Sequence, residues 1–90
     1  MNNNEYIKYK KYIGKVVRHF KGNYYYIENI GLNSENLEYM VVYRALYNNN
    51  VWIRPLTSFF EKIDLKKEGN ITKQKHRFEI VKDVIVDYTK

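Results

Sequence analysis

The sequence predicts an all-β domain, a small SH3-like barrel of five or six short strands with one short helical or 3₁₀ turn. Three observations carry that expectation. Apolar residues fall in short alternating runs, and turn chemistry recurs at spacings of about 8 to 12 residues. A chain of 90 residues buries a thin core, because a domain of that size hides only somewhat more than roughly 60% of its unfolded surface. Ten tyrosines and no cysteine then mean that aromatic packing, not disulfide bonding, must supply the burial.

Residues 1–13 are expected to form an N-terminal arm or a short helix, with Asn4 as its cap and Tyr6, Tyr9 and Ile13 at helical spacing. One domain is expected over residues 14–90. From Gly14 the pattern changes to strands. KVVRHF runs into Lys21, Gly22 and Asn23, a turn that leads to YYYIENI and predicts a hairpin. Alternation places His19 with Val17 on one face and sets Tyr25 opposite Tyr24 and Tyr26.

GLNSEN, residues 31–36, holds residues that fold back on their own backbone and marks the next turn. LEYMVVYRALY, residues 37–47, is the longest expected strand. Asn48, Asn49 and Asn50 read as a three-residue loop before VWIR, and Pro55 ends that strand because it has no N–H for a ladder. Thr57 or Ser58 then caps a single turn carrying Phe59 and Phe60, with one ring expected to plug the barrel end and the other to lie against Trp52. DLKKEGNITKQKH reads as an exposed charged loop, RFEIV as a strand, and VIVDY as a last strand or edge.

The three-residue loop sets a register in which Arg44 faces Arg54. One face of that hairpin then carries Val41, Tyr43, Ala45, Tyr47, Val51 and Ile53 as core, and the other carries Val42, Arg44, Leu46, Trp52 and Arg54. Like charges directly opposed across a ladder are unfavourable unless an anion lies between them. Glu35, Glu38 and Glu61 are the internal candidates, and a bound anion is the alternative, since the guanidinium fork suits carboxylate and phosphate. The candidate ligand-binding residues are therefore Arg44, Arg54, Trp52, His19 and Lys21, supported by Tyr43, Glu35, Glu38, Glu61 and Phe59.

The formal charge of +6 raises the possibility of a nucleic-acid partner. Lysine supplies most of it, alongside the Asn, Ile and Tyr that an AT-rich coding sequence favours without selection for binding. Arg18, Arg44, Arg54 and Arg77 consequently carry more information than the lysines. The exposed tyrosines admit single-stranded nucleic-acid binding as an alternative. His19 admits a hydrolytic or nucleotide-processing enzyme as another, although no base, nucleophile or orienting partner is placed beside it by the sequence. No cofactor, metal, catalytic residue or membrane association is indicated, and Lys21–Gly22 is a turn rather than the end of a phosphate loop. A cytoplasmic protein is expected, its oligomeric state open.

The chain resembles a bacterial family known as domain of unknown function sixteen fifty-three. The resemblance runs from Gly14 to about Ile80 and rests on HFKG at residues 19–22 followed by Tyr25 or Tyr26, NSENLE at 33–38, VVYRALY at 41–47, WIRPL at 52–56, and Arg77–Phe78. It departs where Asn33 and Asn36 replace a histidine and a threonine, and where His76 replaces a proline. The resemblance supports the fold and the choice of residues and implies no reaction.

Overall fold

The computed structural model of the chain describes residues 3–82. It is built on one five-stranded antiparallel sheet: β1 (Val16–His19), β2 (Tyr24–Leu32), β3 (Tyr39–Ala45), β4 (Val51–Pro55) and β5 (Phe78–Ile80), in the order β4-β3-β2-β1-β5. The strands form a meander whose last member returns beside the first. The sheet runs open from β4 to β5 and is not closed on itself among the described residues. The strand read over VIVDY lies outside the described residues.

The N-terminal segment is helical, as α1 (Asn3–Tyr9) and a 3₁₀ turn (Lys10–Tyr12). Asn4 lies inside α1 rather than capping it. The spacing of the tyrosines packs this arm onto the domain: Tyr6 stacks on Tyr39 at 5.4 Å, and Tyr9 stacks on Phe60 at 5.3 Å. No helix among the described residues is long and apolar enough to cross a membrane.

Alternation sorts β1 and β2 as their sequences predict. Val17 pairs with Tyr25 and Ile80, and His19 with Phe78, so all five share the core face. Gly22 closes the hairpin with a φ of +109°, a backbone region that side chains seldom occupy. In β2 a bulge between Ile27 and Asn29 inserts Glu28, so that Ile27 and Ile30 both reach the core although they are an odd number of residues apart.

That core is aromatic. Phe59, at the end of the short α2 (Leu56–Phe59), stacks on Phe78 at 4.1 Å, and Tyr43 meets both edge-on at 5.0 and 5.3 Å. Each such ring stabilises the fold by roughly 1.5 to 3 kcal/mol through burial. Phe60 takes a different course from the one expected. It packs against Tyr9 and Tyr12 of the N-terminal arm instead of Trp52.

β3 begins at Tyr39 and β2 is the longest strand. Leu37 has a φ of 59° and donates its N–H to Asn33 O, which spends residues 33–38 on the turn. Nor is the charged segment after Ile63 wholly exposed. Asn70 and Gln74 are buried, and the Gln74 amide donates to Arg18 O at 2.9 Å while Thr72 donates to Phe20 O at 3.2 Å. These bonds pin the loop to β1 without apolar side chains.

Candidate functional site

The β3–β4 connection departs from the expected register. The strands pair Val41 with Arg54, Val42 with Ile53, Tyr43 with Trp52 and Arg44 with Val51. The loop occupies residues 46–49, one residue longer than the asparagine run suggests. The reason is local: Asn49 adopts a left-handed φ of 63° and donates to Ala45 O, while Asn50 returns its carbonyl to the Ala45 N–H at 2.8 Å. Arg44 and Arg54 therefore do not face each other. Trp52 and Arg54 stand on the core side with Val41 and Tyr43, whereas Val51 and Ile53 turn outward with Val42 and Arg44. Val51 and Ile53, expected in the core, are 48% and 63% exposed.

None of the three expected carboxylates neutralises either arginine. Arg44 is held by Glu28, its Nε 2.6 Å from the carboxylate, and it also donates to Asn49 O at 3.0 Å. Glu61 pairs with Arg77 at 2.7 Å instead of Arg54. In the turn before β3, the Asn33 and Asn36 side chains accept the backbone N–H groups of Glu35 and Glu38, so both glutamates serve local turn geometry. Asn33 and Asn36 are thus turn caps.

Arg54 is half-buried and contacts Ser58 Oγ at 3.5 Å. No carboxylate lies within ion-pair distance of it among the described residues. Its charge is felt by His19, whose pKa falls from 6.5 to about 4, first through burial and then through Arg77, Lys21 and Arg54. His19 Nδ1 accepts the Lys21 N–H at 3.1 Å. The neutral ring therefore carries its proton on Nε2, which makes it a hydrogen-bond donor and a poor general base at neutral pH.

Aromatic residues floor and rim this region. His19 lies 4.9 Å from Phe78, and Tyr25 meets Phe78 at 5.5 Å, Tyr43 at 5.4 Å and Tyr47 at 6.1 Å. Burial, followed by a hydrogen bond with Tyr47 and the proximity of Tyr47 and Tyr43, pushes the Tyr25 pKa up to about 12. Its phenol stays protonated at neutral pH. Trp52 is 48% exposed at the edge of the sheet. Phe59 lies beneath, buried in the stack with Phe78.

Lys21 points elsewhere. Its side chain lies across Gly69, and its Nζ sits 5.9 Å from the Phe20 ring, which Lys67 and Arg77 also approach at 5.8 and 5.7 Å. These cations line a separate shallow depression, about 550 Å³, between the β1–β2 turn and the loop. Of the five residues expected to bind a ligand, the structure puts Trp52 and Arg54 on the face of Tyr43, with His19 on the same face of the sheet and within electrostatic reach of Arg54, places Lys21 at the margin and puts Arg44 on the opposite face.

Glu28 and Tyr25 were not singled out by sequence reasoning as parts of the hairpin's environment, and Tyr47, expected in the core, is 58% exposed because it lies in the loop beyond β3. For Glu28 a signal existed, since two isoleucines three apart in a one-faced strand require an extra residue between them. Tyr25 had only strand alternation and no partner to identify it.

The fold and the site together define a small open β-sheet domain with an arginine and a neutral histidine set beside an aromatic cluster. Residues 15–80 match the family described as protein of unknown function (DUF1653), well over half of the chain, and the protein belongs to that family. No curated protein and no solved structure matches it significantly.

Proposed function

We propose that the protein is a cytoplasmic binding module, its sheet an SH3-like barrel left open along one side, that holds the anionic group of an acidic peptide or small ligand at Arg54. The His19 Nε2–H supplies a second donor, and Trp52 supplies an apolar wall. One observation carries this reading: Arg54 is half-buried, yet no carboxylate pairs with it among the described residues. A guanidinium taken partly out of water loses hydration, and an anion bound through its two-pronged fork returns that loss as charge-assisted hydrogen bonds. The strand meander with a helical turn before its last member supports the SH3-like description.

Trp52 is the single tryptophan, so its fluorescence reports on this region directly. Titrating an acidic peptide is expected to shift the emission, with affinity at least about tenfold weaker in Arg54→Ala and unchanged in Arg44→Ala. Equal affinity in wild type and Arg54→Ala would refute the assignment. Tight, steeply salt-dependent retention on single-stranded DNA that survives Arg54→Ala would instead favour nucleic-acid binding through the lysines.

A further inference from the structure

We propose that the edge of β4, which no strand pairs among the described residues, is a strand-docking site, at which an extended acidic peptide adds a sixth strand to the sheet. This rests on the reading of Arg54 as an anion ligand and specifies how the anion is presented. The argument begins with backbone direction. The Ala45 N–H donates to Asn50 O at 2.8 Å, which marks Ala45 and Asn50 as a hydrogen-bonded pair. Bonded and non-bonded pairs alternate along an antiparallel ladder. Tyr43–Trp52 and Val41–Arg54 are consequently bonded pairs, and Trp52 and Arg54 turn their backbone groups inward to β3.

The other side of β3 agrees. Leu46 donates to Tyr24 O at 3.0 Å, so the even-numbered residues there bond to β2 and the odd-numbered ones to β4. By the same alternation Val51 and Ile53 direct their N–H and C=O groups away from the sheet, at its edge. Proteins usually guard such an edge with charge, a bulge or proline. Here Val51, Trp52 and Ile53 are 48%, 48% and 63% exposed and uncharged, and protection arrives only with the charge of Arg54 and with Pro55.

Charge selects the occupant. A second copy paired symmetrically about Trp52 would bring another +6 and set Asn50 opposite Arg54, leaving the guanidinium without a carboxylate. An acidic strand supplies one. Bound antiparallel, it forms bonded pairs with Val51 and Ile53 and non-bonded pairs with Trp52 and Arg54, where opposing side chains approach most closely. The partner therefore reads acidic, then any β-favouring residue, then apolar or aromatic: the acid meets Arg54, the middle residue covers Ile53, and the aromatic meets Trp52. Main-chain bonds of this kind are the usual source of affinity in strand addition, with alternate side chains giving specificity.

The test uses the peptide acetyl-Ser-Glu-Val-Tyr-Thr-Ser-amide and the same peptide N-methylated at its valine and threonine amides, which keeps the carboxylate and removes the outward-matching donors. Amide NMR titration of the full chain is expected to shift and protect Val51 and Ile53, and N-methylation to weaken binding at least about tenfold. Ile53→Pro is expected to do likewise while preserving the fold, because its N–H faces the edge and β3 loses no bond. Equal binding of both peptides, still sensitive to Arg54→Ala, would overturn strand addition while leaving the anion reading intact. Binding of neither peptide would overturn both. Concentration-dependent dimerisation that protects Val51 and Ile53 without peptide would overturn the acidic occupant in favour of a second copy.

Discussion

Arg44 and Arg54 belong to one hairpin, on adjoining strands, and their surroundings are opposite in kind. Arg44 lies on the outer face and is closed off by Glu28 and the Asn49 carbonyl. Arg54 lies on the inner face, its charge felt by His19, with a serine hydroxyl at 3.5 Å and no carboxylate in ion-pair range among the described residues. The difference does not arise from the arginines, which are chemically alike. It arises from strand parity, which gives the outer face an acid and the inner face aromatic rings. One arginine is thereby a structural clamp, and the other has coordination capacity to spare.

The most damaging way to break this contrast is to remove the floor under the inner face. Phe78→Ala is expected to cost about 3 to 5 kcal/mol in denaturant unfolding, since Phe78 is packed against Phe59, Tyr43, Tyr25 and His19. Tyr24→Ala on the outer face, where the ring is 40% exposed, should stay within about 0.5 kcal/mol. Similar losses for the two would contradict the assignment of faces.

A smaller effect separates the arginines themselves. Arg44→Ala and Glu28→Gln should each lower stability by about 0.5 to 1 kcal/mol, and a double-mutant cycle should return a favourable coupling, modest because both side chains are partly exposed. Arg54→Ala without ligand should be neutral within about 0.5 kcal/mol. A large loss there would make Arg54 a second clamp.

The last effect is with pH. The folded-state pKa of His19 is depressed from 6.5 to about 4. As pH falls the unfolded chain takes up the proton first, so the contribution is complete above about pH 6.5 and is lost between that value and about 4. Thermal unfolding between pH 7 and pH 4.5 should show a slope that His19→Asn reduces. An unchanged slope would mean that the imidazole is not shielded by burial and cations.

Much of this was readable from residue order, and the reasons are specific. Val17 and His19 share a face because alternation depends only on their spacing within one strand. The Gly22 hairpin and the stop at Pro55 follow from backbone chemistry carried by single residues. Register across β3 and β4 was not readable in that way. It depends on which asparagine in a run of three takes the left-handed conformation, and the three are chemically equivalent until the loop closes. One residue of difference moved Arg54 and Trp52 from the face of Arg44 to the face of Tyr43. The buried Asn70 and Gln74 gave no signal either, because an amide in a charged segment looks exposed until its carbonyl partners on other segments are known.

The bulge at Glu28 joins the two faces of the sheet at one residue. It is a single change of phase in an otherwise regular two-residue rhythm: residues before it and after it keep the same sides only because one residue is counted twice. Deleting Glu28 would leave Ile27, Asn29 and Ile30 in ordinary alternation, with Ile30 still inward and Asn29 still outward, but it would remove the bulge and strip Arg44 of its partner. The acid that quiets the outer face is therefore carried by the bulged residue of β2, which the ladder with β3 leaves unpaired.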